Sequence, residues 1–257
     1  MKKLKLNNKE RPWIKFYNKD RVTPNLTYSN TSMVGYLLEA VSRFPEYIAY
    51  EYYGKTVTYR ELYEKIRETA KCLRAQGVKD GDKITICMPN TPEAIIMFYA
   101  TNMVGAIASM VHPLSAENEI EIYLNESEST LLFVLDMVYD KVHNIIDNTK
   151  IKKIIIGSVG DNLKPIKKIL YKYKSHGKIP KIELTDDIMT WREFLNYGYD
   201  YDGEYASLKG PNDPAVILYS GGTSGDPKGI LLSNLNLNSL ALQCHKMINF
   251  ANEGTSI

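Results

Sequence analysis

Between Lys83 and Ile156 the chain repeats one pattern: a short apolar run, a stretch with helix start and stop signals, then another apolar run. Lys83–Met88, Ile107–Val111, Thr130–Leu135 and Ile151–Ile156 read as strands. Helices are predicted from Pro92 to about Val104, from near Ser115 to about Glu126, and from Val138 to Asn148. Strands alternating with helices at this spacing make βαβ units, and such units build a parallel sheet. The runs lack clean alternation of apolar and polar residues, as strands covered on both faces do. The predicted fold class is α/β, with a mainly parallel sheet flanked by helices.

The flanks add detail. Ser32 can cap a helix from Met33 to Phe44, which Pro45 stops. Ile48–Tyr53 and Thr56–Tyr59 around Gly54-Lys55 predict a hairpin. Thr58 and Glu61 form a capping box for a helix that ends at Gly77. Asp161–Lys181 is lysine-rich around Ile166, Ile169 and Leu170; the plainer reading is a solvated helix with one apolar face, the sharper one an anionic docking patch. Ile182–Leu184 can be a further strand, and Thr190–Glu193 is a second capping box. The Tyr-, Gly- and Asp-rich stretch Tyr197–Asn212 has no periodicity and reads as a connector. The expected layout is an N-terminal extension (1–30), an α/β subdomain (31–196), the connector (197–212) and the start of a second subdomain (213–257).

Composition narrows the function classes. The chain has 257 residues, 32 basic against 30 acidic, for a net charge of +2, so nothing favours nucleic acid as a partner. Three scattered cysteines match no metal or redox spacing and suit a reducing cytoplasm. The basic start Met-Lys-Lys is followed by polar residues, so no secretory signal is predicted. Ala94 to Ala116 carries no formal charge and is long enough to span a bilayer. Asn102, Gly105, Ser109 and His112-Pro113 interrupt it, and a buried helix followed by a buried strand accounts for it better; no transmembrane span is expected.

The chemistry concentrates after the connector. Ala215–Tyr219 reads as a strand, Ile230–Ser233 as another, and Asn234 as the cap of a helix to about Met247. Between the strands lies Ser220-Gly221-Gly222-Thr223-Ser224-Gly225-Asp226-Pro227-Lys228-Gly229. Glycines let backbone N–H groups approach a ligand, the hydroxyls of Ser220, Thr223 and Ser224 add donors, and Lys228 adds a mobile positive charge. Such a loop suits a polyphosphate. It is not a Walker A loop: Pro227 precedes the lysine, Gly229 follows it, and the context is strand–loop–strand.

Tyr219–Gly229 resembles the phosphate-binding signature of the adenylate-forming superfamily, which includes acyl-CoA synthetases, with Gly221 where serine is usual and Ser224 where threonine is usual. Thr58-Tyr59-Arg60-Glu61-Leu62, Gly81-Asp82-Lys83, Met88-Pro89-Asn90 and Gly105-Ala106 followed by Pro113 are similar to that family's earlier segments, in order and spacing. The resemblance implies ATP-dependent activation of a fatty or aryl acid as an acyl-adenylate, then transfer to coenzyme A, with ATP, Mg and coenzyme A as cofactors. It implies phosphate binding by Ser220, Gly221, Gly222, Thr223, Ser224, Gly225 and Lys228. In many relatives a histidine follows the serine at Ser233; here Asn234 stands there.

The family's adenine, ribose and catalytic-lysine segments have no counterpart before Ile257. The chain therefore reads as a truncated N-terminal domain of that fold, inactive alone, whose expected partners are a small carboxylic acid, the missing C-terminal half and a possible second copy in a homodimer. The alternatives are a naturally truncated, non-catalytic binding module or half of a split ligase. His112 lies where ligands bind in such sheets, though a packed, hydrogen-bonded histidine explains it as well; His245 is a further possibility on the last helix.

Overall fold

The computed structural model describes residues 11–17, 25–220 and 227–248. A hairpin of β1 (Ile48–Tyr52) and β2 (Lys55–Thr58) stands apart from one seven-stranded sheet. The sheet holds β3 (Lys83–Cys87), β4 (Ile107–Met110), β5 (Leu131–Leu135), β6 (Lys153–Gly157), β7 (Ile188–Thr190), β8 (Pro214–Ser220) and β9 (Lys228–Ser233). Their spatial order is β7-β6-β5-β3-β4-β8-β9. Every pairing is parallel except the last, where β9 returns antiparallel along β8. The chain steps to one side of β3 for β4 and to the other for β5, so the strand order reverses at β3.

The helices are α1 (Met33–Arg43), α2 (Tyr59–Ala75), α3 (Pro92–Met103), α4 (Glu117–Ser127), α5 (Tyr139–Ile145), α6 (Pro165–Lys174), α7 (Trp191–Asn196) and α8 (Asn234–Ile248). Adjacent residues of a strand point to opposite faces. Ser109 and Tyr219 meet α4, whereas Met110, Val216 and Leu218 meet α3 and α8. Helices therefore cover both faces, and Ile84, Thr85 and Ile86 of the central strand are all fully buried.

The uncharged stretch from Ala94 is explained by position. α3 is buried between the sheet and α2, whose Leu62, Ile66, Ala70 and Leu73 form one covered stripe. A helix covered over most of its surface is apolar over most of its surface. Among the described residues no helix is long and apolar enough to cross a membrane.

Several expectations change in detail. α4 is not capped by Ser115: the Glu119 carboxylate accepts from Ala116 N at 3.0 Å, so the first turn begins one residue later. Ile182–Leu184 forms no strand; the strand falls at β7, leading directly into the Thr190–Glu193 capping box of α7. β8 and β9, from the stretch read as a second subdomain, extend the same sheet as β4. Residues 197–212 form no helix or strand, yet they are tied down. Ser207 N donates to Met103 O at 2.8 Å, Arg74 Nε donates to Tyr205 O at 3.2 Å, and Asp80 accepts from both Ser207 and Lys209. The Lys209 and Ser207 hydrogen bonds hold the Asp80 carboxyl below its ordinary range.

Candidate active site

Six parallel strands share one carboxyl edge, and β8 delivers Ser220 to it. Open α/β sheets bind ligands beyond that edge. β8 and β9 pair so that Ser220 lies opposite Lys228. Both are exposed, and Lys228 makes no ion pair among the described residues. The two ends of the predicted loop are thus a hydroxyl and an exposed ammonium, side by side at the end of the sheet. Gly221, Gly222, Thr223, Ser224 and Gly225 lie outside the described residues.

The hairpin is anchored to α4 at two points. The Tyr219 ring stacks on Tyr123 with centroids 4.0 Å apart. Its hydroxyl donates to Tyr123 O at 3.0 Å and lies 2.9 Å from Ser109 Oγ. A hydroxyl has one proton, so with the tyrosine donating to the carbonyl, Ser109 is the donor to Tyr219. Burial pushes the Tyr219 hydroxyl's pKa up, against the hydrogen bond from Ser109. Gly229 N donates to Glu126 Oε2 at 3.1 Å. A side chain at Gly229 would crowd Ile217 Cγ2 at 3.1 Å and the Tyr219 ring at 3.3 Å, so glycine lets the strand lie against them.

Behind Tyr219 runs a buried hydroxyl chain. Thr85 Oγ1 donates to Ser129 Oγ at 2.8 Å, and Ser127 Oγ lies 2.8 Å from Ser129 Oγ. Ser109, Tyr123 and Glu126, which position the loop's base, carried no motif. Their one sequence signal is a lone hydroxyl inside an otherwise apolar strand, at Thr85 and Ser109.

Past the loop, Asn234 is not the helix cap expected. Ser233 caps α8, its Oγ accepting from Asn236 N at 3.3 Å while Asn236 Oδ1 accepts from Ser233 N at 2.9 Å. Asn234 is buried and clamps two distant segments: its Oδ1 accepts from Met33 N at 2.9 Å, and its Nδ2 donates to Asp213 O at 3.0 Å. Asn238 adds a bond to Thr31 O at 2.9 Å. His112 is exposed rather than packed; its Nδ1 accepts from Leu114 N at 3.2 Å. His245 is exposed on α8.

Two recesses flank this edge. One of 300 Å³ is lined by Ile95, Phe98, Tyr99, Met110, Leu218 and Leu237, almost all apolar, and adjoins β8. The other, 550 Å³, lies towards the β6–β7 end, away from the loop, and includes Glu93, Asp161 and Trp191. Glu93 sits in the first turn of α3 yet is 1% exposed. Asn162 Nδ2 donates to its Oε1 at 2.7 Å, its Oε2 has no partner, and burial raises its pKa, with the Asp161 charge adding to the rise. Among the described residues no group of three His, Cys, Asp or Glu side chains could hold a metal ion.

These features define a mainly parallel α/β domain in which β8 and β9 bring Ser220 and Lys228, the two described ends of the glycine- and hydroxyl-rich segment, together at the carboxyl edge of the sheet. Residues 37–255 match the AMP-binding enzyme family, and the chain belongs to it. It is 27% identical over 246 residues to a long-chain-fatty-acid–CoA ligase of Bacillus subtilis, a match covering 95% of this chain and 44% of that protein. The structure of a long-chain-fatty-acid-CoA ligase from Archaeoglobus fulgidus superposes with TM-score 0.69 at 23% identity, over 89% of this chain and 42% of that one. A benzoate CoA ligase from Burkholderia xenovorans gives 0.62 at 19%, over 82% and 36%. The chain spans under half the length of the curated relatives it matches. These likenesses bear out the adenylate-forming resemblance and the α/β fold class.

Proposed function

We propose that this chain is the phosphate-binding portion of an acid–CoA ligase, and that the complete enzyme activates a fatty or aryl acid with ATP. The observation that carries the reading is the pairing of Ser220 with Lys228, which makes no ion pair among the described residues, across an edge hairpin at the carboxyl end of the sheet. A carboxylate oxygen of the acid attacks the α-phosphorus of ATP, the bond to the β-phosphate breaks, and pyrophosphate leaves. Lys228, Ser220 and the loop residues Gly221, Gly222, Thr223, Ser224 and Gly225 would hold the β- and γ-phosphates. Fixed donors aimed at the leaving group lower the barrier by positioning and by charge stabilisation. Magnesium would arrive on the nucleotide's own phosphates.

The apolar recess beside β8 would take the acid's hydrocarbon part. The coenzyme A thiolate then attacks the acyl carbonyl, the mixed anhydride opens, and AMP leaves. The cytoplasm is the compartment that this chemistry and the three free thiols suit.

Acid-dependent ATP–pyrophosphate exchange by the full-length gene product tests the reading, with a panel of fatty and aryl acids. Lys228→Ala should lower exchange about a hundredfold, as loss of a charge-stabilising donor does, and raise the KM for ATP. Residues 1–257 alone should give no turnover. No exchange with any acid, or full exchange in the Lys228 variant, would overturn the proposal.

A further inference from the structure

Helix α6 turns its apolar side away from the protein. Ile166, Ile169, Leu170 and Tyr173 recur at helical spacing and form one stripe. They are 82, 70, 52 and 82% exposed. The opposite side packs inward: the Tyr171 ring lies against Gly160, and Lys168 Nζ stands 4.0 Å from Asp161. The helix thus keeps the apolar face expected of it, but that face meets solvent.

The charges around the stripe are ordered too. Lys167 and Lys174 flank it on one side and Lys172 on the other, from their positions on the helix. Lys167 Nζ donates to Tyr53 O at 2.7 Å and stands 5.6 Å over the Tyr53 ring. This fastens α6 to the tip of the β1–β2 hairpin, where Tyr53 is itself exposed and widens the patch. Lys172, Lys174, Lys178 and Lys181 make no ion pair among the described residues. From 161 to 181 there are seven lysines and one aspartate, in a chain whose net charge is only +2. The excess positive charge therefore sits here.

A solvent-facing apolar stripe flanked by lysines on both sides complements an anionic bilayer. Isoleucine, leucine and tyrosine side chains enter the boundary between headgroups and acyl chains, while the ammonium groups reach the phosphates on long stems. We infer that α6, together with Tyr53, is a docking surface for an anionic phospholipid bilayer. The helix lies on the membrane surface and does not span it; ten residues are half of what a crossing requires. A convex helix with cations on both flanks fits a flat, uniformly anionic surface. A protein partner would have to supply a groove with acidic rims on both sides.

The test is co-sedimentation of the full-length gene product with vesicles of equimolar phosphatidylglycerol and phosphatidylcholine, and with phosphatidylcholine alone. The protein should pellet with the anionic vesicles, and partition should fall at least about tenfold on neutral vesicles or in high salt. The triple variant Ile166→Ser, Ile169→Ser, Tyr173→Ser should lose binding to a similar degree, as should Lys172→Glu with Lys174→Glu, with unchanged circular dichroism. In Tyr173→Trp, the emission gained over wild type should shift to the blue when anionic vesicles are added. Absence of pelleting, equal binding to neutral vesicles, or wild-type partition in the variants would overturn the inference. So would a Trp signal already blue-shifted without lipid, which would mean that another part of the polypeptide, a second copy or a protein covers the stripe.

Discussion

The ring of Tyr219 lies on that of Tyr123, and its hydroxyl donates to the carbonyl of the same residue, so a single side chain fastens the β8–β9 hairpin to α4 both by stacking and by a hydrogen bond. Tyr219→Phe keeps the stack but leaves the Tyr123 carbonyl and the Ser109 hydroxyl without their partner. Unmade buried hydrogen bonds of this kind cost about 1–2 kcal/mol. A lower urea midpoint with an unchanged slope is the expected outcome; an unchanged midpoint would mean that water replaces both bonds.

Asn234→Ala removes the acceptor for Met33 N and the donor to Asp213 O at a buried site. The expected loss is about 1–3 kcal/mol. Hydrogen exchange at Met33 should accelerate more than exchange at Ile84 in the central strand, because the bonds cut tie α8 to Met33 and Asp213 and leave β3 untouched. Uniform acceleration would contradict that picture.

Gly105 has φ +76°, and a Cβ there would collide with Asp80 Oδ2 and stand 2.8 Å from Ser207 Cβ. Gly105→Ala combines a left-handed backbone for a side-chain-bearing residue with displacement of the Asp80–Ser207–Lys209 tie. Strain alone is worth about 1–2 kcal/mol, so a loss of about 2 kcal/mol or more is expected. Limited proteolysis should cut within residues 197–212 sooner than in the wild type.

Burial raises the Glu93 pKa, so the folded state binds that proton more tightly than the unfolded state does. Stability contributed by the group therefore falls as pH rises from the unfolded value, about 4.3, through the raised folded value, and the loss is complete above it. Glu93→Gln keeps an acceptor for Asn162 and removes the charge. The variant's Tm should exceed that of the wild type above neutrality, with the gap closing in acid. A gap independent of pH would show that the carboxyl is not the source.

What the residues announced locally, the structure repeats. Thr58–Glu61 and Thr190–Glu193 close their capping boxes in both directions, because such caps depend on four neighbouring residues. Ser220 and Lys228 could be proposed from the sequence because a loop's chemistry is written in consecutive positions, and the structure pairs the two as opposed strand ends. Ser109, Tyr123 and Glu126 were not, since their partners come from β8 and β9 about a hundred residues later, and spacing along the chain holds no record of which strands become neighbours. The α6 stripe shows the same limit. Periodicity shows that the helix has an apolar side, while the direction of that side depends on Tyr53 and Asp161, which belong to other elements.

The Asn234–Met33 clamp also sets an order of events. The amide at the start of α1 leaves the ribosome 201 residues ahead of its acceptor. Until Asn234 has been made the Met33 amide lacks this acceptor, and the bond can form only once the loop between β8 and β9 has been synthesised. The clamp thus closes only after translation has passed the segment on which the proposed chemistry depends.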